Sequence, residues 1–411
     1  MTSTTSTTTA IRLAGRASHL PPSATAALDA RAKQLIADGV DVINLTSGEP
    51  AFPTVEPAAR AALAAIAEDF TKYTPAAGIP ALRTAVAAYL NRHHTRYESG
   101  DVVITAGAKQ ALHHAFTVLL EPGDEVLVPA PYWVSYPHMV TLVGGVPVEV
   151  RPTPGSGLKI TPELVRRAIT PNTRVLLLNS PANPSGVVYT HDELAALAAV
   201  AAEHDLTVIS DEICDHWVYG TSFTSVASLG PDVAARTLTI GGMSKTFAMT
   251  GWRIGWIAAP AHVAKAVAAV QSHTASAPSS VSQRAALGAL TADLDEELSR
   301  RRTALDERRQ AVLQRLDKVP GVRVDGDARG AFFVFADVSG TYGLTAGDRT
   351  IGSAADFAEL LLARADVAVV PGTDFAAPDH VRISYTVPPD RLAVALDRLS
   401  HFVTDLTVPG P

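Results

Sequence analysis

Between about residues 100 and 260 the chain alternates short apolar runs with stretches of helical periodicity, and this alternation limits its fold more than any other feature. The runs are Val102 to Thr105, Glu125 to Val128, Pro147 to Val150, Arg174 to Leu178, Leu206 to Ile209, Thr237 to Ile240 and Ile254 to Ala258. Strands buried on both faces have this pattern, and the helical stretches between several of them supply the crossovers that parallel neighbours require. The expected fold class is therefore α/β, a large domain with a mainly parallel sheet covered by helices. Ligands on such sheets bind beyond the carboxyl ends of the strands.

A charged helical stretch from about Asp293 to Lys318 then gives way to a different pattern. Strand-like Ala331 to Phe335 and Val381 to Tyr385 alternate with helical Ala354 to Arg364 and Arg391 to Phe402, which predicts a smaller α+β domain. No internal repeat of fixed period interrupts this order.

The size and charge of the chain narrow its partners. At 411 residues and 47% hydrophobic it can bury at least one large core, and its net charge of -7 leaves no basic excess for nucleic acid or an anionic membrane. The Ser/Thr-rich residues 1–9 lack the cationic and apolar regions of a signal peptide and are expected to form a disordered tail. Ala-rich stretches such as Glu193 to Glu203 carry polar residues at helical spacing and fall short of the roughly 20 apolar residues that a bilayer span needs. The single cysteine, Cys214, can form no internal disulfide, which matches a reducing, cytoplasmic setting.

Several residues at strand ends could carry chemistry, although each has a plainer reading. Lys245 follows Thr237 to Ile240 through a glycine-bearing turn, Gly241-Gly242-Met243-Ser244, and could equally be a surface lysine. The spacing does not fit a nucleotide P-loop, because Thr239 stands where that motif needs glycine. Asp211 comes just after an apolar strand, where a carboxylate needs a partner or serves as a helix cap. Asn183 lies in Asn183-Pro184-Ser185-Gly186, which is also an ordinary turn. Gly107, Ala108 and Lys109 join a strand to a helical pattern beginning near Gln110, and free N–H groups there suit an anion such as phosphate. Arg253 and Arg382 sit in strand-like surroundings, Gly251 to Ile257 and Val381 to Tyr385, and each requires an acidic partner or a ligand. No His-Glu-x-x-His, paired-cysteine or EF-hand spacing appears, so no metal site is expected, and Gly155-Ser156-Gly157 does not make a serine-hydrolase elbow.

Together these residues resemble the class I and II aminotransferases of the fold-type I pyridoxal-phosphate family, over about Ser18 to Phe402. Ser244-Lys245-Thr246-Phe247-Ala248-Met249-Thr250-Gly251-Trp252-Arg253-Ile254-Gly255 matches the cofactor-lysine signature. In family order around it stand Lys72-Tyr73-Thr74-Pro75, Pro131-Tyr132-Trp133-Val134-Ser135-Tyr136-Pro137, Asn183-Pro184-Ser185-Gly186, Asp211-Glu212 and Val381-Arg382-Ile383-Ser384-Tyr385. The resemblance implies a small domain from residues 10–47 and 293–411 and a large cofactor-binding domain from 48–292. It also implies that Lys245 holds pyridoxal 5'-phosphate as a Schiff base and moves a proton at the substrate α-carbon. Asp211 would keep the pyridine nitrogen protonated, Asn183 would bond the 3′-oxygen and Trp133 would lie on the ring. The backbone of Gly107, Ala108 and Lys109, with Ser244, Arg253 and Tyr73 from a partner subunit, would hold the phosphate, so a homodimer with shared active sites is expected. Arg382, with Asn183 and the backbone of Gly48, would take the substrate α-carboxylate. Nitrogen would pass from an amino acid to a 2-oxo acid in two halves, with ping-pong kinetics.

Within the family, Ser23, Thr25 and Lys109 resemble a bacterial aspartate aminotransferase subgroup in which such residues approach the distal carboxylate of the substrate, which makes aspartate and 2-oxoglutarate the leading pair. One departure stands out. Cys214 occupies the place of a tyrosine that normally donates to the cofactor 3′-oxygen, and a thiol is a weaker donor. Weaker cofactor retention and a raised Schiff-base pKa are expected unless His216 or Tyr219 swings in. The same change leaves room for a specialised lyase, cyclase or oxidase on this scaffold. A cofactor-sensing regulator is disfavoured, since no helix-turn-helix is found in the sequence.

Overall fold

The computed structural model describes residues 11, 13–18, 20 and 24–408; the tail expected at 1–9 lies outside the described residues. The large sheet has seven strands: β1 Val102–Thr105, β2 Glu125–Pro129, β3 Val146–Val150, β4 Thr173–Asn179, β5 Thr207–Asp211, β6 Thr237–Gly242 and β7 Gly255–Ala258. Their spatial order is β1-β7-β6-β5-β4-β2-β3. Only β7 runs against its neighbours, so the sheet is mainly parallel. The crossovers are helices: Ala108–Leu119 leaves β1, and His191–Glu203 lies between β4 and β5. Thr190 starts the latter with a reciprocal capping box to Glu193, which satisfies two backbone donors at the helix end.

Two strands run further than hydropathy indicates. β5 continues through Ser210 to Asp211, because ladder bonds require only backbone and both polar side chains find buried partners. β6 continues through Gly241 and Gly242, which were expected to turn. The glycines serve close packing instead: a Cβ at Gly241 would come within 2.5 Å of the Trp256 indole on β7. At the carboxyl ends, Asn179 of β4 and Asp211 of β5 are paired in register, which sets two polar side chains on adjacent strands.

The second sheet is antiparallel. It comprises β8 Arg323–Val324, β9 Phe333–Asp337, β10 Val370–Pro371 and β11 His380–Ser384, in the order β10-β11-β9-β8. β9 begins two residues later and β11 one residue earlier than their apolar runs predict. The helices Asp295–Leu316, Ala354–Ala365 and Pro389–Thr404 accompany it. Its apolar core draws on Leu305 to Val403 and also takes in Ile43 and Leu45 from the amino-terminal part of the chain. Ile43–Asn44 pairs in parallel with Val367–Ala368, so the two ends of the chain meet there. Cys214, Trp217 and Tyr219, just after β5, bury their side chains in this same core. The large sheet is packed by three other clusters, from Val55 to Leu298. Among the described residues no helix is long and apolar enough to cross a membrane.

Candidate active site

A cavity of about 350 Å³ opens at the carboxyl ends of β4, β5 and β6 and is closed on its far side by Phe333 and Arg382. Lys245, Asp211, Asn183, Trp133, Ala108, Lys109, Ser244, Arg253, Cys214, Gly48 and Arg382 all line it. Gly107 stands directly behind the wall. Tyr73 does not reach the cavity and is 96% exposed. Ser23 lies outside the described residues; Thr25 falls in the helix Ala24–Ala37, but its side chain is not described.

Asp211 is buried at the end of β5, where Tyr136 donates its hydroxyl to Oδ2 at 2.7 Å and the backbone of Ile213 donates to Oδ1 at 3.2 Å. Burial pushes its pKa up to about 6, and those two donors and the Lys245 charge oppose the rise. Tyr136 was not singled out in the sequence. The available signal was its place one helical turn after Trp133, whose ring it meets edge-on at 5.4 Å. Asn179 braces the loop beyond β4: its amide donates to the backbone carbonyl of Asp211 at 2.9 Å, and its carbonyl accepts from the Asn183 backbone at 2.9 Å.

Lys245 donates from Nζ to the carbonyl of Gly48 at 2.6 Å. Burial lowers its pKa, which favours the neutral, nucleophilic amine. Cys214 faces the same space, and burial raises its thiol pKa to about 12, so it stays protonated. Neither residue named as a substitute for the absent phenol is available. Tyr219 donates to the carbonyl of Ala331 at 2.6 Å, and the His216 ring lies 3.3 Å from the carbonyl of Leu298.

At the helix entrance Gly107 has φ +88, and a Cβ there would lie 2.5 Å from the Arg253 guanidinium. The helix starts at Ala108, two residues before Gln110, so its free N–H groups and Arg253 converge on one spot. Arg253 itself is not in a strand; it precedes β7 in a left-handed conformation, φ 56, and is exposed. It donates to the carbonyl of Thr250 at 2.7 Å, and no carboxylate pairs with it among the described residues. Lys109 hangs 4.8 Å above the Trp133 ring, and burial, then the Arg253 charge, lowers its pKa. Glu49, also not foreseen, accepts a hydrogen bond from Thr250 at the cavity edge.

Arg382 is a buried charge with no carboxylate partner among the described residues. It is 3% exposed and lies over the rings of Phe333 and Phe375, at 4.5 and 5.2 Å. Nη1 donates to the Asn183 side-chain carbonyl at 3.0 Å and Nη2 to the backbone carbonyl of Thr46 at 2.7 Å, while Nε has no partner. Burial brings its pKa down to about 9, so the group is still cationic at neutral pH. A buried cation with neutral partners and an unsatisfied donor is a site for an anion.

This geometry has close counterparts. Residues 40–399 match the family described as aminotransferase class I and II. An aspartate aminotransferase from Geobacillus stearothermophilus is 42% identical over 395 residues, covering 96% of this chain and 99% of that protein. An aspartate/prephenate aminotransferase from Thermus thermophilus is 44% identical over 395 residues, covering 95% and 98%. The crystal structure of the aspartate aminotransferase from Rhizobium meliloti superposes with a TM-score of 0.92 at 38% identity, covering 97% of this chain and all of that one. The chain belongs to the class I and II aminotransferases. It has their fold-type I architecture and is an enzyme of amino-group transfer.

Proposed function

We propose that the enzyme moves the amino group of L-aspartate to 2-oxoglutarate, using pyridoxal 5'-phosphate held at Lys245, in a ping-pong sequence. The observation that carries this reading is Arg382, a buried guanidinium without a carboxylate partner among the described residues, facing the same cavity as Lys245 and Asp211.

The residues fit the cofactor. A phosphate suits the amino-terminal end of the helix Ala108–Leu119, with Arg253 beside it and Ser244 lining the wall. A cationic ring nitrogen suits Asp211, whose raised pKa marks a carboxylate lacking a positive partner. Bound pyridoxal phosphate supplies an electron-accepting ring on which an amino group can change hands. The chain does the rest. Lys245 would take and return the proton at the substrate α-carbon, and Trp133 and Asn183, which line the same cavity, would hold the cofactor by its ring and its 3′-oxygen. Arg382, with Asn183 and the Gly48 backbone, orients the α-carboxylate. Lys109, with Ser23 and Thr25, receives the distal carboxylate, and the names of the relatives support that choice.

The division into a cofactor-binding part, 48–292, and a smaller part, 10–47 with 293–411, belongs to the same proposal; distinct apolar cores support it, although Cys214, Trp217 and Tyr219 of the larger part pack into the core of the smaller. So do a cytoplasmic setting and a homodimer in which Tyr73 serves the neighbouring subunit, supported by the 96% exposure of that tyrosine.

The test is borohydride reduction of the cofactor-loaded protein, peptide mapping, and a panel of amino acids offered with 2-oxoglutarate. Labelling at Lys245 and aspartate as the fastest donor are expected. A label elsewhere, release of ammonia or consumption of oxygen would overturn the reading.

A further inference from the structure

The two segments that carry Lys245 and Cys214 are fastened together on the side facing away from the cavity. Thr246, next to Lys245, is buried and donates from Oγ1 to Asp215 Oδ1 at 3.2 Å; Asp215 is next to Cys214. The backbone of His216 donates to the same oxygen at 2.8 Å. The other carboxylate oxygen accepts the Tyr89 hydroxyl at 2.7 Å and lies 3.4 Å from Nε2 of His93. Tyr89 closes the helix Pro80–Asn91 and packs edge-on against Trp256 of β7. Burial alone would raise the Asp215 pKa; His93, then Tyr89, outweigh it and hold the group below the usual aspartate value. None of Asp215, Thr246, Tyr89 or His93 lines the cavity.

We propose that Asp215 is a positioning residue for the transfer reaction: it clasps Thr246 to the turn after β5, against the anchor of Tyr89 and His93, and so fixes Lys245 relative to Asp211. Lys245 and Cys214 are each one residue from a member of the clasp. Inside the cavity Lys245 is tethered, among the described residues, by a single hydrogen bond to Gly48. A slip at the clasp therefore reaches the amine with little damping, and a misplacement of about 1 Å can cost around a hundredfold in rate.

The inference rests on Lys245 being the cofactor-holding residue, and the test separates the two claims. Wild type and the variants Asp215→Asn, Thr246→Val and Thr246→Ser are loaded with pyridoxal phosphate. For each, borohydride labelling, kcat and KM for aspartate, thermal stability, and the pH titration of the Lys245–cofactor absorbance band are measured. Thr246→Val should lower kcat by about ten- to a hundredfold with KM within about threefold, and should shift the titration, while Asp215→Asn, whose amide oxygen can still accept from Thr246, should fall between it and wild type. Thr246→Ser, which keeps the hydroxyl, should restore both. The clasp is refuted if wild type labels at Lys245 while Thr246→Val keeps kcat within about twofold and titrates like wild type. It is refuted equally if serine does no better than valine. Should Asp215→Asn fail to fold, the two Thr246 variants decide. A wild type that labels nowhere overturns the function instead.

Discussion

Replacing Asp211 by asparagine should make the cofactor-free protein more stable while removing its hold on the cofactor. Burial raises the Asp211 carboxyl from the ordinary aspartate value of 3.8 to about 6. A group whose folded pKa is raised binds its proton more tightly in the folded state, so folding loses stability as pH climbs from the unfolded value through the folded one. The shift of about two units corresponds to roughly 3 kcal/mol at pH 8, at 1.36 kcal/mol per unit. By the same linkage the cost shrinks to about 1 kcal/mol near pH 4.5. Asparagine carries no charge to desolvate, and its amide oxygen can accept from the Ile213 backbone while its NH2 donates to the Tyr136 hydroxyl. With an unfolding entropy near 2.1 cal/mol/K per residue, a chain of about 400 residues gains roughly 3.5 °C in Tm from about 3 kcal/mol. Differential scanning fluorimetry of the apoproteins measures this, repeated with pyridoxal phosphate in excess. Wild type should gain about 2.7 kcal/mol at a hundredfold excess over Kd, and the asparagine variant little. An apo variant no more stable than wild type at pH 8, or an advantage unchanged at pH 4.5, refutes the argument.

Arg382→Lys removes the fork from a charge-assisted pair and should raise KM for every amino acid about ten- to a hundredfold, read in steady-state assays, because such bonds contribute roughly 1.5–3 kcal/mol. Lys109→Ala should raise KM for aspartate several times more than for alanine; equal effects on both would remove Lys109 from distal-carboxylate recognition. Cys214→Tyr should lower the pKa of the Lys245–cofactor absorbance band and slow cofactor loss on dilution, since neither His216 nor Tyr219 supplies the missing donor. Superimposable spectral titrations would count against that account.

The sheet was legible because its strands are apolar on both faces, and periodicity alone finds such runs. Their ends were less legible. Ser210 and Asp211 belong to β5 by backbone pairing, which hydropathy does not report, and Gly241 and Gly242 looked like a turn because what they accommodate, the Trp256 indole and the Ile254–Gly255 backbone respectively, lies at β7. Lys245, Asp211, Asn183 and Arg382 were found through contiguous motifs, and the fold brings them to one cavity. Tyr136, Glu49 and Asp215 were not singled out. Their partners lie far along the chain, as with Tyr136 and Asp211, 75 residues apart, or Glu49 and Thr250, 201 apart. Local spacing sets Tyr136 beside Trp133 but does not encode its meeting with Asp211, nor that of Glu49 with Thr250. The left-handed turn at Arg253 was missed because its surroundings read as a strand.

The strand that ends in Asp211 does not finish in the layer to which it belongs. Within a few residues the chain sinks Cys214, Trp217 and Tyr219 into the core shared with Leu305 and Phe333. Any tilt of that neighbouring layer must pull on the stretch between, as a lever pulls on its pin. The acid at the end of this central strand is thus mechanically coupled to the neighbouring core although solvent scarcely touches it, and a truncation such as Trp217→Ala would be felt there first.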